Sequence, residues 1–575
     1  MADHKKMALA LAILCFLCGN AFLPSSASSD SFLQCLSTVI PSELVFTQSS
    51  SGFTSVLQSS VQNPKFITNT TVRPLFIVTA SDVSHVQAAV RCGRTNGVRI
   101  RVRSGGHDYE GLSYRSVQPE VFAVLDLARL RGVHLSPGEG SAWVDAGTTL
   151  GELYYAVGTT NPGFLFPGGV CATVGVSGFV SGGGIGLMMR KYGVGGDNVL
   201  DAKIVNANGD VLDRAAMGED VFWAIRGGSG ESFGVVVAWR LKLSPVPTTV
   251  TVVNNVRTLE QGAPDLLAKW ESTILSPLNI PDLTTRVVLQ GRVAIFQTLY
   301  LGRCTDLLDT VLNVFPELGM TSGDCNEMSW LRAMAFIYFG NTTTPVEVLL
   351  NRTNYVAGHY YKAKSDYVRR AVGSAGWSSL YQQWLSKNGN GKMVLEPHGE
   401  AVGGANTATA SPYPHRRGVL FNIQYGSDWC CDANGTMAAA GLAWLDGIYG
   451  FMGPFVTSNP REAYANYRDL DLGKNVIGQD GLSSYWSGRV WAERYFMGNY
   501  RRLAAAKAMA DPGDYFRNEQ SIPPLPNEKG RFASHHERNP LATAAPPRDH
   551  GLRATSSHHD SLLPSHDSVV VTLCW

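Results

Sequence analysis

Apolar positions along the first half of the chain change period at short intervals. Residues 74–80 (PLFIVTA) form an apolar run of strand length; Ser81 and Asp82 then offer a helix N-cap, and Val83, Val86 and Val90 recur at helical spacing up to a stop at Asn96-Gly97. Val98, Ile100 and Val102 alternate with Arg99, Arg101 and Arg103, which predicts a half-buried strand carrying basic residues on its other face. That strand runs directly into SGGHDYEG (104–111), and another strand, 121–125, leads to Asp126. The order at this point is strand–helix–strand.

Residues 163–186 (GFLFPGGVCATVGVSGFVSGGGIG) break the periodicity. Nine of these twenty-four are Gly, too dense for regular structure, yet Phe164, Leu165, Phe166, Val174, Val176, Phe179 and Val180 intervene. A flexible linker would lack such apolar bulk, so a folded loop whose backbone approaches a ligand is expected. A third glycine loop, 226–234, opens the strand 235–243, and Pro245 and Pro247 mark a boundary. From 248 to 480 glycine thins out, helices such as 266–275 alternate with strands such as 420–425, and a second, substrate-side domain is expected. The stretch 481–526 includes a helix, 503–510, stopped by Asp511-Pro512-Gly513, whereas 527–575 is polar and without clear periodicity, read as a disordered tail. The chain shows no internal repeat.

Composition narrows the function. Of 575 residues only 17% are charged, and 48 Lys+Arg against 47 Asp+Glu give a net charge of +1. Such a surface has no general attraction for a phosphate backbone, which argues against a nucleic-acid partner. Lys5 and Lys6 precede an apolar stretch ending near Leu23, and small residues follow at 25–29; residues 1–27 read as a secretory signal, with no membrane association after its removal. Beyond the signal, eight cysteines remain, seven without Cys574 of the tail, so one does something other than pair. Sequons at Asn69, Asn341, Asn351 and Asn434 suit a secreted glycoprotein. The His535-His536 and His558-His559 pairs lack ligand spacing, and no metal site is expected.

Familiar catalytic signatures are missing: no G-x-G-x-x-G in the glycine loops, no Walker lysine, no H-E-x-x-H. Ser232 sits in a G-x-S-x-G match, but it precedes a strand, whereas a nucleophile elbow leaves one. Glycine loops with interspersed aromatics still suit a large phosphate-bearing cofactor held by backbone amides.

The segments RVRSGGHDYEGLSY (101–114), PGGVCATVGVSGFVSGGG (167–184), KYGVGGDNVLDA (191–202), RGGSGESFGVV (226–236), NPREAYANYRDLDLG (459–473) and EQSIPPLP (519–526) together resemble the berberine bridge enzyme-like family of vanillyl-alcohol-oxidase type flavoenzymes, from about Ser31 to Pro526. The resemblance implies an α+β, two-domain PCMH-type FAD-binding fold with a sheet-and-helix substrate domain: an FAD-binding domain at 28–247, a substrate domain at 248–480, and a segment at 481–526 returning to the FAD domain. It also implies FAD doubly attached through His107 and Cys171, and a Cys35–Cys92 disulfide; Cys304–Cys325 and a role for the adjacent Cys430 and Cys431 are guesses. Cofactor contacts carried over are Arg103, Ser104, Gly105, Gly106, Gly168, Gly169, Thr173, Val174, Gly178, Gly182, Gly183, Gly184 and Val236, with Val174 as a gate to oxygen. The implied activity is oxidation of an alcohol, sugar or phenolic alcohol with O2 as acceptor, outside the cell; the alternatives are an FAD dehydrogenase that shuns oxygen and a flavin-bearing defence or structural protein with little turnover.

Several positions depart from the family pattern. Ile185 replaces the tyrosine base of the monolignol branch, Asn422 its lysine, and Gln424 the glutamate base of the alkaloid enzymes; Phe179 replaces the usual His. Tyr464 and Tyr467 are the remaining phenols, with Tyr467 the expected base, its pKa lowered by a nearby cation; Tyr109 is expected in the pocket wall, each with packing against the flavin as the alternative.

Overall fold

The computed structural model describes residues 26–273, 280–352, 360–387, 391–404, 411–430 and 435–526. The expected signal up to residue 25, the tail from 527, Asn434, Cys431 and Cys574 lie outside the described residues. Among the described residues no helix is long and apolar enough to cross a membrane, and no cluster of three His, Cys, Asp or Glu side chains could hold a metal ion.

Three sheets carry the fold. In the first, the order is Val45–Thr47, Phe76–Thr79, Phe122–Asp126, Arg99–Arg103, with the last three strands parallel. The crossover is the helix Val83–Thr95: Asp82 caps it by accepting from the Ser84 backbone N–H at 2.8 Å, and it ends at Asn96 before Gly97 turns with φ 69°. The basic face expected on Arg99–Arg103 is not a solvated one. Arg101 is buried and pairs with Glu120 (2.7 Å) and Glu519 (3.0 Å), and Arg103 is buried against Asp126 while donating to the Val56 and Leu57 carbonyls. Each guanidinium meets a carboxylate, without which burial would be prohibitive. The Cys35–Cys92 disulfide fastens the N-terminal helix Ser26–Leu36 to the crossover helix.

The second sheet is antiparallel, ordered Val133–Ser136, Ser141–Asp145, Val235–Lys242, Val199–Val205, Val211–Leu212. Against it packs the glycine-rich segment, which is more regular than its composition predicts. Phe164–Leu165 pairs with Ser244–Pro245, and Val176–Ser181 is a short helix. Val176, Phe179 and Val180 fall at helical spacing and are buried, so a narrow apolar stripe suffices to wind this turn despite its flanking glycines. Helices Tyr485–Phe496 and Tyr500–Ala510 return the C-terminal segment to the same core, the latter packing on Glu219–Ile225.

The third sheet has seven antiparallel strands: Asn326–Met328, Val250–Thr258, Val293–Tyr300, Leu283–Gln290, Gly391–Pro397, Phe421–Trp429 and Tyr360–Val368. Helices Ala263–Thr273, Gly373–Gln383 and Thr436–Phe451 supply Trp270, Trp377 and Leu445 to one face, where Leu395, Phe421, Ile423 and Tyr425 are buried. Alternation then places Glu396, Asn422 and Gln424 on the opposite face, away from the helices. Cys304–Cys325 is a second disulfide, while Cys430 is a thiol. Asn69, Asn341 and Asn351 are exposed.

Candidate functional site

The three sheets converge on a cavity of about 260 Å³ lined by Ile100 and Val102 of the first, Val236 of the second and Arg286, Val394, Glu396 and Gln424 of the third. The first sheet delivers its key loop directly. Arg99–Arg103 ends in Ser104, whose hydroxyl donates to the Ala146 carbonyl at 2.6 Å, and Gly106 turns with φ 72° to send His107 into the wall. The His107 and Cys171 loops touch backbone to backbone: a Cβ on Gly105 would lie 2.3 Å from the Gly175 nitrogen. His107 Nε2 is 2.9 Å from Thr173 Oγ1, which ties the loops by their side chains as well.

Of the residues assigned to cofactor contact, Ser104, Gly105, Gly106, His107, Gly169, Cys171, Val174, Gly178, Gly182 and Val236 line the cavity. Arg103, Gly168, Thr173, Gly183 and Gly184 stand behind it. Arg103 is engaged by Asp126, Gly168 is pressed on Tyr154, Thr173 bonds His107, and Gly183 and Gly184 lie against Tyr413 and Phe179. Cys171 lines the cavity on the loop that faces His107. Ser232 is fully buried and accepts from the Ile522 N–H at 3.0 Å, a packing role with no access to the cavity wall.

Four predicted catalytic residues meet on the other side. Tyr109 stacks on Tyr467 with ring centroids 5.5 Å apart, Tyr464 meets Tyr467 edge-on at 4.9 Å, and Gln424 Nε2 donates to the Tyr109 phenol at 2.5 Å. The Tyr464 oxygen accepts from the Gly184 and Ile185 backbone N–H groups (2.9 and 3.1 Å) and from Asn466 Nδ2 (2.9 Å), so it anchors the glycine segment. The loop following His107 is fixed from this side: Asp108 pairs with Arg468 at 2.7 Å, and Glu110 with Lys362 at 2.5 Å.

The electrostatics run against the expected phenolate. Burial pushes Tyr467 well above an ordinary phenol, and Glu396, Tyr109 and Tyr464 add to the rise; Arg286 opposes it too weakly. Burial also raises Tyr464, to about 12, despite its three donors. Glu396 and Arg286 escaped the reading of the sequence. Each is nearly fully buried, their nearest charged atoms are 3.8 Å apart, and each keeps one atom, Oε2 and Nη2, with no hydrogen-bond partner. Burial raises Glu396 above the usual carboxylate, with Arg286 opposing, and lowers Arg286 to about 10. A lone carboxylate inside the apolar run 393–396 was the available signal.

These walls suit FAD. Gly178 has open space where a Cβ would be, and Ser113 Oγ, buried and unpaired, joins Arg286 Nη2 and Glu396 Oε2 among the lining groups. Glycine backbones that come close to a ligand fit a dinucleotide held largely through its phosphates. Comparison with known proteins agrees. A model of the FAD binding domain matches residues 74–214, and one for berberine and berberine-like proteins matches 463–523. The fold and site thus define an FAD-dependent oxidoreductase.

Berberine bridge enzyme-like Cyn d 4 of Cynodon dactylon is 48% identical over 533 residues, covering 91% of this chain and all of its own. A tetrahydroberberine oxidase of Berberis wilsoniae is 41% identical, with 88% and 97% covered. The crystal structure of Phl p 4, described as a grass pollen allergen with glucose dehydrogenase activity, superposes with a TM-score of 0.82 at 49% identity, covering 86% of this chain and 99% of that one. A Phl p 4 variant with one isoleucine changed to valine is described as a glucose oxidase. The chain belongs to the berberine bridge enzyme-like family.

Proposed function

We propose that the protein is a secreted oxidase that removes hydride from the hydroxyl-bearing carbon of a carbohydrate or other alcohol, with O2 as the final acceptor and H2O2 as product. One observation carries this reading: a single cavity joins the glycine loops bearing His107 and Cys171 to the side chains of Tyr109, Gln424, Tyr467 and Glu396. FAD, when bound, supplies the hydride acceptor and the passage of electrons to oxygen. His107 and Cys171, both on the cavity wall, are the residues that would attach it at two points.

The chain's own residues handle the proton. Tyr467 remains a neutral phenol at working pH, so it passes a proton on rather than storing one: as the substrate hydroxyl proton moves to the Tyr467 oxygen, the phenolic proton moves to the Glu396 carboxylate. Arg286 balances the charge on Glu396, and Gln424 orients Tyr109, which holds the Tyr467 ring by stacking. Val174 lines the same cavity, and its side chain lacks the extra methylene of isoleucine or leucine, the change that accompanies oxidase behaviour in the Phl p 4 variant.

The test is anaerobic mixing of the flavin-loaded protein with hexoses, their oligomers and phenolic alcohols, followed by admission of air. Bleaching by a sugar or alcohol, prompt recolouring in air and peroxide release are expected, and Val174→Leu should slow recolouring far more than bleaching. Flavin that stays reduced for minutes in air supports a dehydrogenase instead, and flavin that no compound bleaches overturns the enzymatic reading. Acid-precipitated protein should stay yellow and yield a flavopeptide containing both His107 and Cys171.

A further inference from the structure

On the polar face of the seven-stranded sheet, one row of side chains crosses six strands. Strand register pairs Asn254 with Gln297, Gln297 with Arg286, Glu396 with Asn422, and Asn422 with Tyr367; the neighbouring pair Val287–Leu395 puts Arg286 beside Glu396. Directly opposed residues of this kind have their Cβ atoms about 4.5–5.5 Å apart. One half of the row is bonded through: Gln297 Nε2 donates to Asn254 Oδ1 and Arg286 Nε donates to Gln297 Oε1, both at 2.8 Å. The other half is buried and incomplete. Both amide atoms of Asn422 and both ring nitrogens of nearby His398 lack a hydrogen-bond partner, as does Glu396 Oε2. Unpaired buried polar groups in such a cluster call for a shared purpose.

We infer that Asn422 and His398 are positioning residues for Glu396, the Asn422 Nδ2 group serving the carboxylate while its Oδ1 serves a ring N–H of His398. This rests on the proposed role of Glu396 as proton acceptor. An ionised carboxylate only accepts, so the amide must turn its nitrogen to Glu396, leaving its oxygen for the imidazole. A third group that fixes the orientation of the second is the arrangement by which proton acceptors are commonly held. Asn422 acts to lower Glu396 and to raise His398, the pattern this orientation requires. Arg286 on the adjacent strand also lowers Glu396, and Tyr109, Tyr464 and Tyr467 face it from the loops. Burial, with His415, Arg369 and Arg416 nearby, holds His398 to about 3, so it serves as a neutral donor and not as a proton store. The asparagine that replaces the monolignol-branch lysine is thus a rewiring of the site.

The experiment follows flavin reduction against pH in the full flavin-loaded chain, beside an infrared titration of the Glu396 carboxyl without substrate. Loss of the amide donor raises the Glu396 pKa, so in Asn422→Leu both the acid limb of the rate and the carboxyl titration should move to higher pH by about one unit, roughly tenfold in rate below the limb. His398→Phe should shift both in the same direction by less, and His398→Gln, which keeps an N–H donor, should restore them. Glu396→Gln separates the two ideas: if it reduces flavin normally, the proton-acceptor reading fails. If Glu396→Gln is inactive, but Asn422→Leu and His398→Phe keep the original limb and titration, the positioning role is overturned. Should Asn422→Leu not fold, the two His398 variants decide by the same shifts.

Discussion

The two walls of the cavity are built on opposite principles. The wall bearing His107 and Cys171 is largely backbone: Gly105 meets Gly175 too closely for any Cβ, and Gly178 faces open space. The wall from the seven-stranded sheet and residues 464–468 is side chain, with stacked tyrosines and a buried Arg286–Glu396 pair. A backbone wall recognises shape and phosphate and tolerates little change in volume, whereas a side-chain wall distributes charge and can be retuned one residue at a time. Cofactor retention should therefore depend on the first and proton transfer on the second.

The largest break in that division comes from glycine. In Gly105→Ala the new methyl would press on the Gly175 backbone nitrogen at 2.3 Å and the Thr173 carbonyl at 3.1 Å, neither of which can swing aside. Overpacking of this kind costs about 1–3 kcal/mol, and we expect a lowered Tm with near-complete loss of bound flavin. Gly178→Ala is the control, because its methyl meets nothing within 4 Å. It should fold normally yet bind less flavin, since the methyl points into the cavity. Equal flavin content in both variants, by absorbance ratio, would break the assignment of this wall to the cofactor.

On the other wall, Tyr467→Phe removes one hydroxyl and should leave flavin attachment intact while slowing reduction by about 10²–10⁴-fold. The neutral-relay reading adds a sign: with burial and Glu396 holding the phenol high, the rate should show no ionisation of Tyr467 up to pH 10, while Glu396 gives an acid limb. A basic limb that vanishes in Tyr467→Phe would instead mark a phenolate base. Stopped-flow reduction across that pH range checks both points.

What could be read from the chain divides along the same line. The His107 loop, its crossover helix with the Asp82 cap, and the Cys171 segment are contiguous motifs, and their local chemistry dictates local geometry. The side-chain wall depends on register. Glu396 and Arg286 sit 110 positions apart and become neighbours only when their strands pair, so their pairing could not be read from either residue alone. The arginine face of Arg99–Arg103 was misjudged for a similar reason: Glu519, which neutralises Arg101, lies 418 positions downstream. The lowered pKa expected for Tyr467 failed because burial, invisible in a motif, outweighs the one cation present.

The smallest effect belongs to Gln424, which touches the division without deciding it. Its Nε2 donates to the Tyr109 phenol at 2.5 Å, and Tyr109 in turn stacks on Tyr467. Gln424 cannot act as a base near neutral pH, so its loss should not remove a proton acceptor. Gln424→Ala deletes one neutral hydrogen bond in the pocket, about 0.5–1.5 kcal/mol, or roughly two- to tenfold. That loss should fall on the substrate concentration giving half-maximal reduction, with the limiting rate changed less. The Tyr109 ring still stacks against Tyr467, which keeps the proton route in place. Should the limiting rate fall as far as in Tyr467→Phe, Gln424 would belong to the proton-transfer group, and the side-chain wall would work as one network in which Tyr109 also passes the proton.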